Sequence, residues 1–464
     1  MSMRLFRRLT FLAVLMLVVG TVAGVAQPGP SKKDIKRAKD LSEKAEKAFS
    51  QKNYQAAIDG YAQAIVLVPN DPKTHFKKGY AHYYLKQNDQ AVSDLNIALD
   101  KGYTPLEVYK VRWNILYLKK DFDGAYSDLK AALKLEPANV SLLNGLAEIS
   151  YNKGLFAESL DSYQKALAQE PNNPESYYGI AVNQFRLGNT AGQAAAAEEA
   201  IKRNTQHGGE ANFLLGDAYG KLRRTDDAIA AYERSISLKP DILAAYLALG
   251  ELYRSQSRFG DAIVISNKGL QAFPGDGNIY NALSWYHSLA GNNKEAVTAA
   301  QMAAKLLPNQ SLPFTNLCRA YIDTEQNALA INACNSALKI KPNDGETNLY
   351  LGQAYDAASK KAEAARYFDK AVMGLVAYTK ENETYSDGFY LLGNAYYYDD
   401  QLDKAIEAYN RCIQLSPRFA RVRYNLGVIY AYKKNKSLAT EQYNALVGLD
   451  AKYAAQLKSQ IDKL

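Results

Sequence analysis

Small, aromatic and proline residues recur along the chain in fixed columns with a long period. The series Pro69, Pro137, Pro171, Pro240, Pro274, Pro308, Pro342 and Pro417 is spaced mostly by 34 or 68 residues, with a last step of 75. Placing these prolines at position 32 gives units that begin at residues 38, 72, 106, 140, 174, 209, 243, 277, 311, 345, 386 and 420. Position 20 is then alanine in ten of the twelve, with Ser159 and Gln193 as the departures. Position 8 is small in eleven, position 27 is mostly alanine, and positions 4, 11 and 24 are often aromatic. The pattern predicts two antiparallel helices per unit, joined by a short polar turn such as Lys52-Asn53 or Lys120-Asp121. Small residues at 8 and 20 let the two backbones approach, the one at 27 lets the second helix meet the next unit, and the large side chains fill the remaining volume. Proline at 32 stops the second helix. Asp71 before Pro72 and Asn173 before Pro174 are expected N-caps with proline at N1.

The spacing aromatic–x2–Leu–Gly–x2–Tyr, then Ala, then Pro, is best kept by Tyr246, Leu249, Gly250, Tyr253, Ala262 and Pro274. A second copy runs Phe389, Leu392, Gly393, Tyr396, Ala405, Tyr409 and Pro417. This frame resembles the tetratricopeptide repeat. The resemblance implies an all-α fold, a right-handed solenoid of stacked antiparallel helix pairs whose first helices line a concave groove. Units one to ten would occupy residues 38–376, an insertion 377–385, units eleven and twelve 386–453, and a capping helix 454–464. Three features depart from the frame. Trp113 fills a position that wants a small residue, so the third unit should splay or the ring tilt outward. The fifth unit has Gln193 and Thr205 for alanine and proline, and an alanine-rich second helix that should pack thinly. The insertion is expected to extend a helix and end in a polar loop at Asn382 and Thr384. The joints near 205 and 380 are where the array should open first.

The N-terminus has a different pattern. Arg4, Arg7 and Arg8 precede an apolar run from Leu9 to Val19, and small residues follow to Ala26. These are the regions of a secretory leader over residues 1–26, with an uncleaved anchor as the alternative. The basic residues Lys32, Lys33, Lys36, Arg37 and Lys39 fall in and just beyond a linker and first helical turn, 27–37. They would touch anionic lipid only if the leader is retained. Export to a bacterial periplasm or envelope is the expectation, with a periplasm-facing membrane anchor as the alternative.

Composition narrows the chemistry. The chain's formal charge is +8; without its first 26 residues it is +5, too mild to suggest nucleic acid. Three cysteines and four histidines argue against a disulfide scaffold or a zinc centre, and no cofactor is expected. His75, His82 and His287 fall on packing positions and His207 in a turn. No metalloprotease, P-loop or nucleophile-elbow motif is present, so an enzyme is not expected. Cys318 and Cys334 stand at positions 8 and 24 of one unit; the expected role is buried packing, with a disulfide as the alternative.

Tyrosine is in marked excess, 35 against 14 phenylalanines and 2 tryptophans. Sixteen fall in core columns. Twelve others fall at positions 2, 5, 6, 9, 12 or 13, which the resemblance assigns to the groove. Their N-terminal set is Tyr80, Tyr83, Tyr84, Tyr117, Tyr151 and Tyr178, joined by Lys73, Phe76, Lys77, Lys110, Asn114, Asn144 and Phe185. The C-terminal set is Tyr350, Tyr390, Tyr397, Tyr398, Tyr424 and Tyr432, joined by Asn394, Arg421 and Asn425. Between them Phe213, Leu247, Asn281 and Trp285 leave the groove sparser. Tyrosine offers a rigid apolar face with a polar tip, and Lys, Arg or Asn beside it can fix a peptide. Lys110 with Asn114, and Asn394 with Asn425, match only parts of the carboxylate clamp that some family members carry. The expected function is a non-enzymatic scaffold binding an extended peptide or partner helix. A carbohydrate-binding, polysaccharide-export or cell-wall assembly factor is the alternative.

Overall fold

The computed structural model describes residues 29–464; the expected leader lies outside them. Among the described residues all regular structure is helical, in two compact units divided after Leu155. The first unit carries α1 (Lys32–Ser50), α2 (Tyr54–Leu67), α3 (Pro72–Tyr84), α4 (Asn88–Asp100), α5 (Pro105–Leu118), α6 (Phe122–Leu135) and α7 (Val140–Asn152). The second begins with α8 (Phe156–Gln169), α9 (Pro174–Arg186), α10 (Thr190–Lys202), α11 (Gly208–Lys221), α12 (Thr225–Leu238), α13 (Leu243–Ser255), α14 (Phe259–Ala272), α15 (Gly277–Ala290) and α16 (Asn293–Leu306). It continues with α17 (Ser311–Ile322), α18 (Asn327–Ile340), α19 (Gly345–Ala357), α20 (Lys361–Glu381), α21 (Ser386–Tyr398), α22 (Leu402–Leu415), α23 (Ala420–Tyr432), α24 (Lys436–Val447) and α25 (Ala451–Ile461). Within each unit every helix packs on its sequence neighbours. Odd-numbered helices also touch the next odd-numbered one, as α3 does α5 and α17 does α19. Each unit is therefore an α-solenoid of stacked antiparallel pairs, with the first helices sharing one face.

The basic stretch is already helical, since α1 starts at Lys32 behind Ser31, whose hydroxyl accepts from the Asp34 N–H. The expected caps form as well. Asp71 accepts from Lys73 N–H, and Asn173 from both Glu175 and Ser176 N–H. Position 15 of all twelve units adopts a left-handed backbone, at φ near +60° for residues such as Lys52 and Lys120, and it ends the first helix. Only Gly154, Gly188 and Gly291 make that conformation easy.

Position 8 lies directly under position 24. A Cβ on Gly393 would fall 2.4 Å from the Tyr409 ring, and one on Gly352 would fall 2.5 Å from Phe368. The missing side chain is what admits the ring. Cys318 and Cys334 occupy the same pair of positions, with Cα atoms 5.2 Å apart, and the structure joins them in a disulfide. That corrects the expectation of two packing thiols, because positions 8 and 24 face each other directly across the helix pair. Cys412 is the free, buried cysteine.

The units that depart from the frame find local solutions. Trp113 lies over Gly145 of the next first helix, where an added Cβ would come within 3.1 Å of the ring. Gln193 is buried and donates to the Leu214 carbonyl at 2.7 Å and to Asp217 at 2.9 Å, fastening α10 to α11. The joint after α10 is tied as well, for Glu175 accepts from Thr205 Oγ1 and from Gln206 N–H, each at 3.0 Å. At the other joint α20 runs for 21 residues, and Glu383–Tyr385 stay exposed. At the C-terminus α25 buries Ala454, Leu457 and Ile461, with Leu457 over Gly427. His75 and His82 pack round Asp94, which also takes Lys78 Nζ at 3.1 Å. No helix among the described residues is long and apolar enough to cross a membrane.

Candidate functional site

In the first unit the position rules for first helices gather the aromatic residues on one face. Tyr54 stacks on Tyr84 at 4.9 Å between centroids, Phe49 meets Tyr80 and Tyr84, and Tyr80 leads to Tyr83 and Phe76. Phe76 in turn stacks on Tyr103 at 4.4 Å. The result is one continuous aromatic ladder across α1, the start of α2, α3 and the turn after α4. The Tyr80 and Tyr84 hydroxyls lie 3.2 Å apart, and that contact, with burial, pushes Tyr80 up to about 12. Tyr117 donates to Glu148 at 2.5 Å and is likewise raised to about 12. Both hydroxyls therefore stay neutral donors at any physiological pH.

The neighbouring polar residues already have partners. Lys77 pairs with Glu46 at 2.7 Å, and Lys110 with Glu136 at 3.0 Å. Of the half-clamp of Lys110 and Asn114, Asn114 donates to the Tyr83 hydroxyl at 2.9 Å and buttresses the ladder, while Lys110 is held by Glu136. Lys73 is exposed at the start of α3. Asn144 and Tyr151 lie half-buried on α7. Tyr178 and Phe185 belong to the second unit, where Tyr178 stacks on His207 at 4.4 Å and Lys221 covers Phe185.

The C-terminal set is more interlocked. Asn394 accepts from Tyr409 at 2.7 Å and from Asn425 at 3.0 Å. Tyr424 stacks on Tyr453, and Tyr398 on Phe368. Tyr397 meets Tyr398 edge-on, and Tyr390 packs against Phe419. Arg421 donates to Tyr453 at 3.1 Å. Tyr350 is buried at 7% exposure, so it belongs to the core and not to an open groove. Tyr432 is open to solvent.

The stretch expected to be sparse holds a concavity of its own. A cavity of about 740 Å³ lies on the first-helix face of the second unit, walled by α13, α15, α17, α19, α21 and α23 and by the extended end of α20. Trp285, Tyr286, Tyr378 and Tyr390 give it aromatic walls. Arg254 of α13 reaches Asp387 of α21 at 2.9 Å, closing the row on itself four repeats apart. Arg319 lies flat on Trp285, 3.6 Å from the ring centroid. Burial pushes the Glu346 carboxyl up to about 7, against the opposing pull of Arg319. Arg254, Arg319, Glu346 and Asp387 were missed because tyrosine was the residue followed. All four stand at the groove positions of the frame, and charge at those positions was the available signal.

Helix pairs of this size, stacked with the first helices on one face, define a helical-repeat protein. Models described as a tetratricopeptide repeat match residues 116–175, 151–209, 178–241, 213–277, 315–380 and 420–453, and one described as a TPR repeat matches 387–434. The chain belongs to the tetratricopeptide repeat family, whose repeats mark it as a protein-interaction scaffold. It is 38% identical over 65 residues to the small glutamine-rich tetratricopeptide repeat-containing protein 2 of Mycosarcoma maydis, which is 14% of this chain and 18% of the relative. It is 31% identical over 93 residues to Hsc70-interacting protein 1 of Drosophila melanogaster, 20% and 25% of the two chains. The match thus spans a quarter or less of these curated relatives. Among solved structures, that of the MamA protein is 29% identical over 36% of this chain and 91% of its own, with a TM-score of 0.35. Yeast Tom70 is 15% identical over 92% and 95%, with a TM-score of 0.40.

Proposed function

We propose that the protein is a non-enzymatic scaffold of the cell envelope that holds an extended peptide or partner helix against the aromatic ladder of its first unit. The observation that carries this reading is the unbroken run from Tyr54 to Tyr103, with Tyr84 at 44% exposure and neutral hydroxyls at its edge. Such a face gives a partner large apolar contact with little side-chain entropy to lose, while the hydroxyl tips select backbone polar groups. The outward location has separate support. A buried disulfide between Cys318 and Cys334 suits an oxidising compartment better than a reducing one. The test is a crosslinking pull-down from the native envelope with the parent and with Tyr83, Tyr84 and Tyr117 changed to alanine. Helicity should be unchanged and partner capture lost; capture at the parent's level would refute the ladder as the docking face. Glycan arrays address the alternative, since exposed rings also stack on sugars; specific glycan binding without a protein partner would replace the peptide reading.

A further inference from the structure

The second unit contains a charged group that its own fold leaves unsatisfied. Arg319 is 5% exposed, and none of its three guanidinium nitrogens has a hydrogen-bond partner among the described residues. One face of the guanidinium is stacked on Trp285, which leaves the edges, where the N–H groups point, to find acceptors. Arg319 is one of the residues that line the 740 Å³ cavity, and its guanidinium nitrogens are themselves closed to solvent. Other cations of that wall have the hydrogen-bonded or ion-paired acceptor that Arg319 lacks; Asp323 and Glu346 act on Arg319 only through their field. Arg254 is neutralised by Glu251 and Asp387, and Lys341 by Asp344. Arg421, also on the wall, donates to the Tyr453 hydroxyl. A buried guanidinium without an acceptor is costly, and it is retained where an anion completes it.

We propose that this cavity binds a small organic molecule bearing an oxyanion, a carboxylate or a phosphate, which the Arg319 fork receives with Arg421 beside it. The volume is that of a pocket for a single small ligand, and the aromatic walls suit a partly apolar body behind the anionic group. The cavity belongs to the second unit and the aromatic ladder to the first, so the two readings stand or fall separately. Trp285 makes it directly observable, because Trp113 is the only other tryptophan. In a Trp113→Phe background, emission from Trp285 is followed during titration of the full chain with citrate and, separately, with inorganic phosphate at constant ionic strength. The expected result is a saturable change that equal chloride does not produce, with apparent affinity at least tenfold weaker in Arg319→Met and in Arg421→Gln. Saturation with citrate alone assigns a carboxylate ligand, with phosphate alone a phosphate ester, and with both a site that reads the oxyanion only. Emission indifferent to both probes, or a response that survives both substitutions, overturns the proposal. Arg421→Gln keeps the test open if Arg319→Met fails to fold.

Discussion

Replacing Glu346 by glutamine should make the protein more stable at high pH. In the folded chain burial holds this carboxyl at about 7, where the ordinary value is 4.5. The groups that face it are Arg319 from α17, Asp344 and Tyr350 from its own helix and cap, and Asp387 from α21. Arg319 pulls the carboxyl down and the two aspartates push it up, but desolvation is the largest influence. Between pH 4.5 and 7 the folded chain therefore keeps a proton that the unfolded chain has released, and stability falls as pH rises through that window. At about 1.4 kcal/mol per pH unit the interval is worth about 3 kcal/mol, reduced to about 2 kcal/mol by the water the cavity admits. Glu346→Gln removes the window. The variant should match the parent near pH 4.5 and exceed it by about 2 kcal/mol at pH 8. Urea denaturation followed by Trp285 emission in the Trp113→Phe background, in buffers free of phosphate and citrate, measures this locally. A variant that is less stable at pH 8, or one that keeps the parent's pH slope, would show that Glu346 is a stabilising carboxylate and that the reasoning is wrong.

Other outcomes follow from the same geometry. Peptide mapping without reduction should recover Cys318 linked to Cys334, and the double alanine variant should lose about 3 kcal/mol for a loop of this length; two free thiols would contradict the bridge. Gly374→Ala should cost about 1–3 kcal/mol, because its Cβ would fall 2.8 Å from both the Asn343 carbonyl and the Gly345 Cα. Hydrogen exchange should then show the end of α20 opening, and unchanged protection there would mean that the two backbones can part cheaply. Proteinase K, which cuts with little sequence preference, should cut first in the exposed loop at 383–385, while the 204–209 joint, held by Glu175, should resist; early cleavage at the second site would show that its hydrogen bonds do not persist.

The helix pairs were legible because each depends on residues close together in the chain. The small residue at position 8, alanine at 20, the Asn or Asp cap and the terminating proline act within a span of 34 residues, and their repetition removes ambiguity. The reading went astray where one position had to be matched with another across a helix pair. Position 8 faces position 24 directly, which turned Cys318 and Cys334 from neighbours in packing into a bonded pair. The left-handed residue at position 15 was hidden for a different reason: nine of the twelve are ordinary side chains such as Lys86 and Asp400, forced into that region by the closure of the helix pair.

The candidate site divides along the same line. Tyr80, Tyr83 and Tyr84 are near neighbours on one helix, so their common face followed from helical periodicity. Residues that meet only through the curl of the second unit could not be found that way. Arg254 and Asp387 stand 133 positions apart and touch, and α20, lengthened by the insertion, closes a wall of the cavity beside them. The amino-acid sequence determined the helix pairs, their order and the surplus of tyrosine on the first helices, because those depend on local spacing and side-chain volume. The tertiary structure alone decided that Arg319 lies buried on Trp285 without an acceptor. Small angles between successive repeats add up along the row, and only their sum sets which distant first helices come face to face.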